Sequence, residues 1–317
     1  MSYVLGIDTS CYTTSVAILN NEGQLVADSR RILQVKAGRR GLQQSEMVFQ
    51  HTRNLPELFI DACQQLDTPI RFKAIGVSAF PRPLPDSYMP AFLVGEGYAK
   101  VLALSQGVPL YRISHQENHM FAGLWSANGP TAESFLAVHL SGGTTEVLQV
   151  TRRSDTKRLD IKILGGSQDI HAGQLVDRIG VLLGLNFPAG VHLEILAKTN
   201  QESLIKIPVT VRDASVSFAG PETYVRKLVA QNVPAATIAA SVQLCIARAV
   251  TTMIKNAITQ TSLPNVLLVG GVMANQSIRQ YLFQELEAVN IAKLHFPNNV
   301  YSPDNSVGAA YFALTCQ

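Results

Sequence analysis

Charge is scarce in this sequence: Asp, Glu, Lys and Arg make up 15% of the 317 residues, while 47% are hydrophobic. A chain so poor in charge and so rich in apolar side chains is not disordered, and its length suits two domains of ordinary size. Cysteine is sparse as well. Cys11, Cys63, Cys245 and Cys316 stand far apart without a C-x-x-C pair, which argues against a disulfide framework and against a thiolate zinc site. No apolar run approaches the roughly 20 residues of a bilayer-spanning helix. The opening MSYVLGIDTS has no basic flank, and Asp8 breaks its apolar run. These absences predict a reduced, cytoplasmic protein with neither a membrane segment nor a cleavable leader. Missing too are G-x-G-x-x-G after the first apolar run and G-K-[ST] after the later glycine pair, so ordinary Rossmann and P-loop readings fall away. The net charge of +3 neither demands nor forbids a polyanionic partner.

What is present suggests a duplicated α/β chain. YVLGI at 3–7 and TSVAIL at 14–19 flank a short polar turn, and FLAVHL, SGGTT and EVLQV repeat that texture over 135–150. Laying Ser10 on Ser141 aligns S-x-x-T-T-x-V in both. Like hairpins one domain apart imply two similar lobes with a cleft between them: residues 1–130, closed by a final helix over 304–317, and residues 131–303. Between and after the hairpins, helical periodicity is expected near 45–66, 91–106, 169–185, 234–260 and 274–287. Strands are expected at 72–79, 109–113, 161–164 and 266–271. The proline-dense PRPLPDSYMP at 81–90 cannot be regular helix or central strand.

The sharpest chemical signal is ISHQENHM. Ser114 and Glu117 form a capping-box pattern, so a helix starting there sets His115 and His119 on one face, one turn apart. Two such imidazoles can share one metal ion, or be a surface and a half-buried histidine. Asp304, before the last helix, is a candidate third ligand or simply a cap; two imidazoles and a carboxylate suit iron or zinc. LSGGTT at 140–145 offers backbone N–H groups to an anion, or is only a tight turn. Gly270 and Gly271, delivered by a buried strand and followed by a helix, let a ligand rest on backbone with Asn275 facing it. Asp8 at a strand end could hold hydrated Mg²⁺ or close an Asx-turn. Asp169 and Asp177, two turns apart on one helix face, could each bond a ribose hydroxyl or be solvated. Arg30, Arg31, Lys36, Arg39 and Arg40 form a basic run without an acid, fit for phosphates or a solvated face.

Taken together, GIDTSCYTTSVAI, VGEGYAKVLA, the histidine pair, LSGGTTEV, DIHAGQLVDR, LNFPAG, SFAG, GGVMANQSIR and SPDN, in that order along most of the chain, resemble the TsaD family. These are tRNA N6-threonylcarbamoyladenosine synthases of the actin-like/Hsp70-like ATPase fold. The resemblance implies one divalent metal, iron or zinc, on His115, His119 and Asp304, with Mg²⁺ accompanying a nucleotide. It implies an adenylate (threonylcarbamoyl-AMP, or ATP/AMP) on Leu140, Ser141, Gly142, Gly143, Asp177, Gly190, Glu194 and Asn275, with Asp8 as the remaining catalytic candidate. It implies tRNA adenosine 37 as acceptor, and as partners a TsaB-type homologous subunit and a TsaE-type ATPase. The sequence departs from the family where S-C-D-E-T is usual: Tyr12 and Thr13 replace the acidic pair. PRPLPDSYMP replaces a G-P-G loop, Thr144 a histidine and Ala189 a glycine, and SFAGPET stands for S-F-S-G-L-K-T. A divergent paralogue fits these changes. Two other readings stay open: a catalytically silent, ligand-binding scaffold subunit, and a carbamoyltransferase with a non-tRNA acceptor.

Overall fold

The computed structural model describes residues 2–35, 41–66 and 70–317. The first elements are β1 (Ser2–Asp8), β2 (Thr13–Leu19), β3 (Leu25–Ile32), α1 (Gln44–Gln64), β4 (Arg71–Phe80), α2 (Phe92–Gln106), β5 (Leu110–Ser114) and α3 (His115–Ala127). Next come β6 (Ser134–Leu140), β7 (Thr145–Arg152), β8 (Leu159–Gly166), α4 (Ala172–Leu182), α5 (Gly190–Lys198), β9 (Thr210–Arg212), β10 (Ser215–Ser217) and α6 (Ala219–Ala230). The chain ends with α7 (Ala235–Thr261), β11 (Asn265–Val269), α8 (Gln276–Leu282), β12 (Lys293–His295) and α9 (Val307–Thr315). It divides into two compact units. Unit 1 is 1–128, 153–159 and 303–317; unit 2 is 129–152 and 160–302.

Unit 1 is built on a five-stranded sheet of order β3-β2-β1-β4-β5. β1 runs antiparallel to β2 and parallel to β4, and β4 is parallel to β5. Every residue of β2 is buried, as expected of an apolar, β-branched strand covered on both faces. α1 turns Met47, His51, Leu55, Leu58 and Ala62 inward at helical spacing. Against the sheet, α9 approaches more closely than side chains normally permit, because Gly6 and Gly76 are register partners on adjacent strands. A Cβ on Gly6 would meet the Ser306 carbonyl, and one on Gly76 the Ala309 carbonyl. The pair of glycines is therefore the seat that brings the end of the chain onto β1 and β4.

Unit 2 repeats the plan with a five-stranded sheet of order β8-β7-β6-β11-β12. β6 is antiparallel to β7 and parallel to β11, and β11 is parallel to β12. The repeat reaches the register: Ile7 faces Val16 and Asp8 faces Ser15 in the first hairpin, Val138 faces Val147 and His139 faces Glu146 in the second. Its core gathers Leu136, Val138, Leu175, Ile179, Val225, Ile246 and Val250 around α7. That helix qualifies the expectation of no membrane-length apolar stretch. By length and composition α7 could cross a bilayer, but 78% of its most apolar window is buried inside the protein, which makes it the core helix of this unit.

Two local expectations are corrected. Asp169 is not on a helix with Asp177: α4 begins at Ala172, because Asp169 is engaged elsewhere, accepting from Ser217 Oγ at 2.6 Å and Phe218 N at 2.8 Å. No single helix fills 274–287 either. A 3₁₀ turn (Gly271–Ala274) starts at the second glycine of the pair, and α8 gives way to a π turn at Phe283–Glu287.

Candidate functional site

In unit 1 the site grows from the start of α3. The Ser114 hydroxyl accepts from Glu117 N at 3.1 Å, and the Glu117 carboxylate accepts from Ser114 N at 2.8 Å. This reciprocal cap satisfies N–H groups that a helix start leaves unpaired. It fixes where the helical turn begins, and so where His115 and His119 point. Their rings lie 4.5 Å apart, edge to face, with the two Nε2 atoms 3.2 Å apart. Phe92 closes another side of His115, with ring centroids at 6.1 Å. Asp304 precedes α9 rather than lying in it. Its Oδ1 is 3.5 Å from His115 Nε2 and 3.2 Å from His119 Nε2.

These three atoms form a triangle with edges of 3.2, 3.5 and 3.2 Å. Two bonds of about 2.0–2.1 Å meeting at a tetrahedral angle span about 3.3–3.4 Å, close to all three edges, so the donor set fits one ion of the size of zinc or iron. Without an ion the charges settle on each other. Burial opposes a charge on His115, but Asp8 and Asp304 outweigh it and push the imidazole up to about 10. Burial likewise opposes the Asp304 charge, yet the two imidazoles hold that carboxyl well below the usual carboxylate range.

Asp8 is wholly buried, and both its oxygens are engaged. Oδ1 accepts from Ser10 N and Oδ2 from Ser10 Oγ, each at 2.9 Å, which is the Asx-turn. Oδ2 also accepts from Asn118 Nδ2 at 3.2 Å and lies 3.5 Å from His115 Nδ1. Sequence reasoning missed Asn118. This buried amide also donates to the Asn305 carbonyl at 2.6 Å and accepts from Ala309 N at 2.8 Å, so it joins β1, α3 and the segment bearing Asp304. The signal was its place inside H-x-x-x-H, on a helix whose first turn is buried. Cys11 adds no thiolate: burial first, then Asp304 and Asp8, push its thiol far up. Tyr12 packs against the apolar group of Leu33, Met47 and Ala91, and Thr13 is a buried strand residue. Of the basic run, Arg30 pairs with Asp28, two residues before it on β3, and Arg31 with Glu57 on α1. Lys36, Arg39 and Arg40 lie outside the described residues.

Unit 2 assembles the other candidates through a chain of contacts. Ser141 N donates to Thr144 O at 2.8 Å, closing the turn, while Gly142 and Gly143 have open space where a Cβ would stand. Gly270, with φ of 96°, presses so near Leu140 that a Cβ would meet its carbonyl. The first turn of α4 rests on the same loop: Ala172 N donates to Thr145 Oγ1 at 2.8 Å, and a Cβ on Gly173 would stand 2.6 Å from Gly142 N. Further along α4, Asp177 accepts from Ala189 N at 2.8 Å; burial raises its carboxyl against that bond. Gly190, also open, then begins α5, on which Glu194 accepts from Gln276 N at 3.2 Å. Asn275 caps α8, with its Oδ1 accepting from Ile278 N at 3.0 Å, so its amide nitrogen is the group it can offer. Leu140, Ser141, Gly142, Gly143, Asp177, Gly190, Glu194 and Asn275 thus lie on elements of unit 2 joined by a series of contacts. Asp169 stands apart from them as the anion at the start of α6; burial would raise its carboxyl, but hydrogen bonds led by that of Ser217 hold it low.

Two five-stranded units of one strand order, with a polar turn after the first strand of each, define the actin-like ATPase fold. Among solved structures, the chain is similar to HypF of T. kodakarensis, with TM-score 0.64, 16% identity, and coverage of 99% of this chain and 47% of that one. It is also similar to the activator of the 2-hydroxyisocaproyl-CoA dehydratase of Clostridium difficile, with TM-score 0.55, 13% identity, and coverage of 99% and 94%. Within that fold, the chain belongs to the TsaD family, whose model, described as tRNA N6-adenosine threonylcarbamoyltransferase, matches residues 37–311. A relative so named from Thermosipho africanus (strain TCF52B) is 31% identical over 313 residues, spanning 96% of this chain and 91% of its own.

Proposed function

We propose that this protein transfers the threonylcarbamoyl group of threonylcarbamoyl-AMP to N6 of adenosine 37 in tRNA, in the cytoplasm, together with a TsaB-type subunit and a TsaE-type ATPase. The observation that carries the reading is the triangle of His115 Nε2, His119 Nε2 and Asp304 Oδ1, with edges of 3.2–3.5 Å, in a chain of this family. His115, His119 and Asp304 would hold a divalent ion, iron or zinc, which when bound would supply positive charge to an oxygen ligand. Gly142 and Gly143, with open space where side chains would stand, let the adenylate phosphate approach this turn, and Asp177, Gly190, Glu194 and Asn275 are the candidates for the nucleoside. The chemistry is then one of positioning: the N6 amine attacks the carbamoyl carbon, the bond from that carbon to the phosphate oxygen breaks, AMP leaves, and N6 gives up a proton. Any Mg²⁺ enters with the nucleotide.

The test is purified protein with both partners, unmodified tRNA and threonylcarbamoyl-AMP, with the tRNA digested and its nucleosides weighed. Formation of N6-threonylcarbamoyladenosine is expected, and its absence overturns the reading. The apolar packing of Tyr12 favours one alternative, a ligand-binding subunit without catalysis. Retained adenylate binding with no modified nucleoside would establish it. Label appearing on a small-molecule acceptor instead would point to a different carbamoyl transfer.

A further inference from the structure

Histidine that holds a metal through Nε2 must keep its proton on Nδ1, and that proton needs an acceptor. Among the described residues, buried His115 Nδ1 has no hydrogen-bond partner within ordinary reach, and the carboxylate facing it is Asp8 Oδ2, at 3.5 Å. We propose that Asp8 is the positioning residue of this centre: it accepts the Nδ1 proton of His115 and thereby fixes the ring so that Nε2 is the coordinating nitrogen. The proposal rests on the metal reading above and adds a residue to it.

The opposite tautomer is disfavoured from both ends. It would aim a proton at His119 Nε2 and Asp304 Oδ1, and would set the lone pair of Nδ1 against a carboxylate oxygen. Asp8 cannot turn away, because Ser10 N, Ser10 Oγ and Asn118 Nδ2 fix both of its oxygens. Asn118 is itself fixed by the Asn305 carbonyl and by Ala309 N, and α9 comes close enough only because Gly308 has no side chain there. The brace therefore runs from the end of β1 through α3 to the start of α9. It holds the orientation of His115 independently of any substrate.

Zinc titration of the metal-free protein against a chromophoric chelator is the first measurement. Asp8→Asn is expected to weaken Zn²⁺ binding about 10- to 100-fold while saturation still reaches one ion per chain, and to change the visible spectrum of the Co²⁺-loaded protein. An affinity within twofold of the parent, with an unchanged Co²⁺ spectrum, overturns the proposal. Long-range ¹H–¹⁵N correlation on the Zn²⁺-loaded parent reads the tautomer directly and decides even if Asp8→Asn does not fold: a protonated Nδ1 on His115 is expected, and coordination through Nδ1 rejects it. His119→Ala separates the two levels. If the parent takes up no zinc, or His119→Ala keeps full affinity, the metal reading itself fails; if His119→Ala loses affinity and Asp8→Asn does not, only the role of Asp8 fails.

Discussion

The two units carry the same strand order and hairpin register, yet the turn after the first strand is finished in opposite ways. In unit 1 the turn is closed: Asp8, Thr9 and Ser10 are fully buried, and Asp8 is tied to Ser10 and Asn118. In unit 2 it is open, with Gly142 and Gly143 facing space. A closed turn of carboxylate and hydroxyl groups can organise side chains around a cation; an open glycine turn presents backbone N–H groups to an anion. On the reading proposed above, one scaffold would supply a side-chain site and a backbone site, and the choice would be made by a few residues.

The strongest challenge to this contrast is His115→Ala. It should lower Zn²⁺ affinity at least about 100-fold, read by elemental analysis after dialysis, whereas Ser141→Ala should leave metal content unchanged. Equal losses would erase the distinction. Stability should divide the same way. Gly76→Ala sets a Cβ 2.6 Å from the Ala309 carbonyl carbon and should cost about 2–3 kcal/mol in urea unfolding. Gly143→Ala meets open space and should stay within about 0.5 kcal/mol. Gly143→Val should weaken AMP binding about tenfold by calorimetry, because a branched side chain keeps the phosphate from the backbone; unchanged affinity would remove unit 2's anion role. A pH series sharpens the unit 1 side. Although burial works against it, Asp8 and Asp304 raise His115 to about 10, above its unfolded value near 6.5. In the metal-free protein that stabilisation is complete below about pH 6.5 and fades as pH rises toward 10. Zn²⁺ must displace the same proton, so its affinity should rise by up to about tenfold per pH unit between pH 7 and 9.

What the sequence discloses is what short-range physics decides. The cap of α3 is legible because Ser114 and Glu117 satisfy each other three residues apart. The hairpins are legible because alternation and turn residues are local, and their common offset exposes the duplication. Asn118 is not legible, since its partners Asp8, Asn305 and Ala309 lie 110, 187 and 191 residues away. The periodicity of 169–185 reads as one helix, but Asp169 finds better partners at the start of α6 than helix continuation offers. α7 shows the limit of composition: the same apolar length serves a bilayer or a core, and only burial tells which. Likewise the acids that neutralise Arg30 and Arg31 reach them through strand geometry and a neighbouring helix.

The seat made by Gly6 and Gly76 has a consequence for biosynthesis. His115 and His119 leave the ribosome before any of unit 2, and Asp304 only after it, on the segment that α9 anchors to those glycines. A nascent chain therefore carries two of the three candidate donors while unit 2 is being made. On the metal reading proposed above, tight ion capture would wait until α9 docks, so metal loading would report that unit 1 has folded.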